Sequence, residues 1–297
     1  MEPAQNAPRT GWNGIIDVAS LRGALGAPNV RILDCRHDLA QPDLGQKQYR
    51  QGHIPGAVFA HLDRDLAGAR TASSGRHPLP DAAAMAARLR SWGIRNASRV
   101  IAYDASEGSY AARAWWLLRW LGHSDVAVLD GGWPAWVAAG YPTSDQEPAL
   151  EPGDFSVRPS LQAVIGVDAV AARCAAAAPG SPALLLDARA PDRYEGRNET
   201  VDPVAGHIPG AVNRFWKRNL TEGGRFKQPA QLRAEYQAIL GGRTPDAVSV
   251  QCGSGVTACH DLLALHLAGL EGAALFSGSW SQWIADPTRP IRTGPAP

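Results

Sequence analysis

The sequence predicts an α/β protein made of two tandem domains, each a parallel sheet flanked by helices on both faces. Three observations carry that expectation. The chain has 297 residues, long enough for two domains with separate cores. Motifs recur in the same order about 150 residues apart, far too long for a solenoid repeat, so each copy is a whole domain. Inside each copy, short β-branched runs alternate with helical patterns, which implies a parallel sheet buried on both sides.

The repeat is explicit. "GHIPGAV" stands at 52–58 and again, letter for letter, at 206–212. Upstream, "RILDCR" (31–36) matches "LLLDAR" (184–189), and downstream "VLDGGWPAW" (128–136) matches "LFSGSWSQW" (275–283). In the first copy "VRILD", "VIAYD" and "DVAVLD" read as buried strands. "PDAAAMAARLRSWG" and "SYAARAWWLLRWLG" read as helices, the first opened by Pro and both ended by Gly. "PTSDQEPALEPGDFSVRPS" (142–160) has no periodicity and the Pro, Ser and acid content of a linker. The second copy repeats the scheme, with strands "ALLLD", "VSVQC" and "GAALFS" around helices "PAQLRAEYQAILGG" and "TACHDLLALHLAGL". The expected boundaries are 11–143 for the first domain, 144–163 for the linker and 164–297 for the second.

Composition narrows the function. Hydrophobic content of 45% and charged content of 19% are those of a soluble globular protein. Lys and Arg number 29 against 28 Asp and Glu, so no basic surface argues for nucleic acid. The opening "MEPAQNAPRTGWNG" lacks the basic and apolar regions of a secretory signal, and no apolar run is long enough to span a bilayer. Four cysteines (Cys35, Cys174, Cys252, Cys259) form no disulfide framework, so a reducing, cytoplasmic setting is expected. No P-loop or post-strand GxGxxG is present, and no cofactor is expected.

The chemistry concentrates in "VSVQCGSGVTACHDLL" (248–263). Cys252 ends an apolar strand and precedes a glycine-containing loop and a helix. Ligands of parallel sheets bind at such strand ends. Gly253 and Gly255 permit backbone angles that turn successive N–H groups inward, and the helix starting near Thr257 adds unpaired N–H groups. Together these favour an ionised sulfur or a bound oxyanion. The alternative is an ordinary buried cysteine; the two loop glycines and the helix start favour a nucleophile. Aligning the copies puts Asp104 opposite Cys252, so only the second copy carries thiol chemistry. A cysteine phosphatase needs an arginine six residues on, where Ala258 stands, so phosphate esters are disfavoured and sulfur transfer remains.

"CGSGVTAC", "GHIPGAV" in both halves and the terminal "SGSWSQW" resemble the two-domain rhodanese family, on its 3-mercaptopyruvate sulfurtransferase branch, over about residues 11 to 290. The resemblance implies two tandem rhodanese-like domains. It implies that Cys252 takes sulfur from 3-mercaptopyruvate as a persulfide, releases pyruvate, and passes the sulfur to a thiol acceptor such as thioredoxin, or to cyanide. Thiosulfate-using relatives carry cations in the loop; here Gly253 and Ser254 stand there, with Gly255, Val256 and Thr257 completing the substrate cradle. The resemblance also implies a substrate-binding arginine at Arg193, a second on the same loop placed at Arg197, and a Ser-His-Asp relay of Ser254, His77 and Asp65.

Other residues have plainer readings. His53 and His207 sit identically in both copies although only one copy is catalytic, which argues for turn structure. Trp133, Trp136, Trp280 and Trp283 recur likewise and read as core anchors. Cys259 and His260 follow Cys252, but without a Cys-x-x-C no metal is expected. Cys35 and Cys174 read as packing. Two further functions stay open: a thiosulfate:cyanide sulfurtransferase, and a non-catalytic persulfide carrier.

Overall fold

The computed structural model describes residue 12, residues 14–175 and residues 183–295, excluding the side chains of 174 and 175. Each half of the described chain holds one five-stranded, wholly parallel sheet. The first contains β1 (Ile15–Ile16), β2 (Val30–Asp34), β3 (Ala57–Phe59), β4 (Arg99–Tyr103) and β5 (Val126–Leu129), in the order β1-β5-β4-β2-β3. The second contains β6 (Ala163–Val164), β7 (Leu184–Asp187), β8 (Ala211–Asn213), β9 (Val248–Gln251) and β10 (Ala274–Leu275), in the order β6-β10-β9-β7-β8. The two orders are identical, as a duplication requires. The central strands β4 and β9 are buried from Val100 to Tyr103 and throughout Val248–Gln251, consistent with sheets covered on both faces.

The helices after β4 and β9, Ala111–Trp120 and Ala258–Leu267, are apolar nearly all round, and such helices must be buried on every side. They pack on each other, with Trp115 and His266 rings 5.4 Å apart. One continuous apolar core therefore runs through both halves, from Leu33 and Trp116 to Val250 and Leu263. Smaller clusters around Trp136 and around Trp280 and Trp283 close the outer face of each sheet. The proline-rich connection runs over the first half. Ser144 bridges His53, the Gly153 N–H donates to Arg90 at 2.8 Å, and Phe155 is buried. Cys35 is buried among core residues. The side chain of Cys174 lies outside the described residues.

Repeated motifs make repeated contacts. His53 stacks on Tyr49 at 4.0 Å and bonds its carbonyl; His207 stacks on Tyr194 at 3.8 Å and does the same. Arg36 pairs with Asp34 under Trp133, and Arg189 pairs with Asp187 under Trp280. These conserve each turn rather than any chemistry. No described helix is long and apolar enough to cross a membrane.

Candidate active site

Cys252 follows the last residue of β9, and the "SGSW" segment fixes its backbone. The Cys252 N–H donates to Ser279 Oγ at 3.0 Å, and its carbonyl accepts from Trp280 N–H at 3.0 Å. Ser279 adopts φ 53°, as Gly132 adopts φ 56° in the first half, where Trp133 N–H caps Asp104 in the same way. Beyond the sulfur the chain turns sharply. Gly255 has φ 77°, and a Cβ there would lie 2.2 Å from the Ser277 carbonyl, so only glycine fits. That turn aims the Gly255 N–H at Cys252 Sγ, 3.1 Å away. The helix begins at Ala258, with Thr257 as its cap. Gly253, by contrast, shows no positive φ. Its lack of a side chain makes room: a Cβ would meet Arg76 Nη2 at 3.0 Å and Arg193 Nη2 at 3.5 Å.

The relay geometry comes from the other half. Ser254 Oγ lies 2.7 Å from His77 Nδ1, and His77 Nε2 lies 2.9 Å from Asp63 Oδ1. Because the ionised Asp63 can only accept, Nε2 carries the proton, and the free lone pair on Nδ1 accepts from the Ser254 hydroxyl. The loop bearing His77 docks on the second half. Arg76 N–H donates to Ser281 Oγ at 3.0 Å, and Gln282 Nε2 donates to the Ser73 carbonyl at 3.1 Å. Burial lowers the His77 pKa below its ordinary value while Asp63 opposes the shift, and the bond to His77 holds Asp63 below the usual carboxylate range.

Two expected positions need correction. Asp65 does not orient His77. Residues two apart on a helical turn point to opposite faces. From Leu62–Asp65, Asp63 faces His77, while Asp65 accepts from His61 N–H at 2.8 Å and pairs with Arg88 at 3.1 Å. Arg197 does not reach the loop either: its side chain is 64% exposed and paired with Glu195 at 2.5 Å. The second arginine near Gly253 is Arg76, beside His77 in sequence and contributed by the first half.

Arg193 and Arg76 converge on one carboxylate. Arg193 Nη2 lies 3.0 Å from Asp202 Oδ2 and 2.9 Å from Glu199, and Arg76 hydrogen-bonds the other oxygen of Asp202. Burial pushes the Asp202 carboxyl up, with Arg76 pulling the other way. Next to this cluster opens a cavity of about 690 Å³, lined by His37, Asp63, Arg70, Arg76, His77 and Val201 among others. Cys252 itself does not line it and is only 2% exposed. Cys259 is buried, its thiol donating to the Gly255 carbonyl at 3.3 Å, and burial pushes its pKa up to about 12. The adjacent His260 ring is pushed down to about 3 by burial and donates through Nε2 to the Glu107 carbonyl at 3.2 Å.

Asp104, opposite Cys252 in the duplication, fills its own loop. Its carboxylate accepts N–H bonds from Ser106, Gly108, Tyr110 and Ala111, all at 2.8–2.9 Å. The first loop therefore holds a buried carboxyl where the second carries a sulfur, and burial pushes that carboxyl up while the four N–H bonds pull it down.

The Rhodanese-like domain profile matches twice, at residues 17–139 and 171–286. A protein of Pseudomonas aeruginosa named "Probable 3-mercaptopyruvate sulfurtransferase" is 48% identical over 94% of this chain and 98% of its own. The bovine thiosulfate sulfurtransferase is 34% identical over 89% of this chain and 88% of its own. The crystal structure of the Escherichia coli 3-mercaptopyruvate sulfurtransferase SseA superposes with a TM-score of 0.77 at 31% identity, over 92% of this chain and all of that one. A duplicated sheet order, a strand-end cysteine in a glycine turn and these matches together place the chain in the rhodanese family, with one rhodanese-like domain in each half.

Proposed function

We propose that this chain is a 3-mercaptopyruvate sulfurtransferase. The sulfur of Cys252, as thiolate, attacks the donor's sulfur. The donor's C–S bond breaks, leaving a persulfide on Cys252 and an enolate that takes a proton to become pyruvate. An acceptor thiolate, on thioredoxin or a small molecule, or else cyanide, then attacks the outer sulfur and regenerates Cys252. The observation that carries this reading is the Ser254–His77–Asp63 chain, which ends in the loop of Cys252. Ser254 and His77 supply a path for the proton, and general acid–base groups of this kind contribute about 100- to 10,000-fold in rate.

Arg193 and Arg76 suit the donor's carboxylate, which an arginine fork binds through two parallel hydrogen bonds. Asp202 holds that position in the free protein. A substrate carboxylate would replace it with like charge. Because Asp202 and Glu199 balance the two arginines, the site has little net positive charge to attract a dianion such as thiosulfate. The two arginines still make slow thiosulfate turnover the second reading. Measuring kcat/KM for both donors with cyanide as acceptor decides between them. The expected result is a clear preference for mercaptopyruvate, lost when Arg193 or Arg76 is replaced by Gln, mainly through a higher KM. A higher kcat/KM with thiosulfate would reverse the assignment. No turnover of either donor would leave only a persulfide carrier.

A further inference from the structure

Five arginines are buried among the described residues: Arg36, Arg113, Arg119, Arg189 and Arg214. Four have a carboxylate partner, respectively Asp34, Glu271, Asp187 and Glu235. Arg113, in the apolar helix Ala111–Trp120 of the half without the catalytic cysteine, is 0% exposed and makes no such pair among the described residues. Its guanidinium donates to four main-chain carbonyls and also lies within hydrogen-bonding reach of the Cys259 sulfur. Nε bonds Leu66 at 3.3 Å, Nη1 bonds Gly255 at 3.1 Å, and Nη2 bonds His77 at 3.2 Å and Pro78 at 3.3 Å.

A buried cation without a counter-charge is costly, and neutral carbonyls offset only part of that cost. The groups near it that can become anionic are Cys259, which is in direct contact, and then Cys252. Cys259, pushed up to about 12, stays a neutral thiol and gives its proton to the same Gly255 carbonyl. That leaves Cys252. The geometry supports it, because Arg113 holds the carbonyl of Gly255, the residue whose own N–H reaches Cys252 Sγ. Arg113 also grips the carbonyl of His77, so one side chain ties the relay to the sulfur loop across the two halves.

We propose that Arg113 is the buried counter-charge for anionic sulfur on Cys252, serving both the attacking thiolate and the persulfide that follows. It is a positioning residue. It acts through the Gly255 peptide and through a low-dielectric interior, where charge interactions are strong. The proposal rests on the sulfur-transfer reading above, and it explains what a half without a nucleophile contributes beyond a wall.

The test compares full-length wild type, Arg113→Lys and Arg113→Gln. The readouts are the rate at which iodoacetamide alkylates Cys252 at neutral pH, followed by peptide mass, and pyruvate release from mercaptopyruvate. A thiolate reacts and a thiol does not, so Arg113→Gln is expected to slow alkylation at least about tenfold while Arg113→Lys retains most of the rate. Pyruvate release should fall in kcat more than it rises in KM. Alkylation of Arg113→Gln at the wild-type rate would overturn the proposal, even if turnover fell through misplacement of His77. Should the variants not fold, wild type alone decides. A buried counter-charge is not screened, so alkylation should hold steady up to about 1 M salt, and a collapse of the rate would assign the effect to the more exposed Arg76 and Arg193. Wild type that is alkylated as expected but releases no pyruvate would count against the donor assignment and leave Arg113 in place.

Discussion

Asp63 and Asp65 share one helical turn and face opposite ways, so one carboxylate orients His77 and the other ties down the turn. The consequence is a sharp pair of variants. Asp63→Asn should lower kcat by about 10- to 100-fold with little change in fold, since the imidazole loses its orienting carboxylate. Asp65→Asn should leave turnover intact and lower thermal stability only. Steady-state kinetics beside a melting curve separates the two. The pH profile follows from the same contacts. Burial holds His77 neutral at neutral pH, with Asp63 working against that shift, so removing Asp63 moves the acid limb of kcat to lower pH. A limb that moves upward would contradict the arrangement. The sequence carried the histidine and its neighbourhood but not this register, because spacing along the chain does not reveal which face of a one-turn helix looks inward. Arg76 was hidden for another reason: it meets Asp202 across a long stretch of chain. A clue did exist in Arg113, one of two arginines in a helix whose other residues are all apolar.

Equivalent strand-to-helix turns do opposite work in the two halves. The turn after β9 aims the Gly255 N–H at the Cys252 sulfur, whereas the turn after β4 gives four of its N–H groups to Asp104. Removing that carboxylate orphans buried donors. Asp104→Ala should therefore cost on the order of 3 kcal/mol in urea unfolding, and Asp104→Asn somewhat less, because it keeps one acceptor. The alternation of strands and helices was legible because each central element is uniformly apolar and bounded by Gly or Pro. The two-residue edge strands β1 and β6 were not. They form only by pairing with β5 and β10, and a pair of residues has no period to read. Gly253 looked like a conformational glycine. It is a spatial one, small so that two guanidinium groups can approach the loop.

At the scale of the whole molecule, the apolar core and the site both cross the boundary between halves. The helices Ala111–Trp120 and Ala258–Leu267 bury each other, and His77, Asp63, Arg76 and Arg113 all come from the half without a nucleophile. Residues 144–297 expressed alone should expose that apolar face, aggregate or bind a hydrophobic dye, and release no pyruvate. The interface is expected to respond to acid through His260, which donates to the Glu107 carbonyl of the other half and is pushed down to about 3 by burial. Its folded pKa lies below the unfolded one, so the unfolded chain takes up the proton first as pH falls through about 6.5. The stability contributed by neutral His260 is present above that pH and is lost progressively below it. Tm of wild type minus that of His260→Gln should accordingly shrink between neutral pH and pH about 4. A difference that stays constant or grows would place the acid sensitivity elsewhere.

The most direct measurement is the intact mass of wild type and of Cys252→Ser after a single exposure to 3-mercaptopyruvate without acceptor, with released pyruvate counted in the same sample. The expected result is one added sulfur atom and one pyruvate per wild-type chain, discharged by a thiol or cyanide, and neither in the variant. Pyruvate release or sulfur uptake by the serine variant at the wild-type level would show that the reaction does not pass through Cys252.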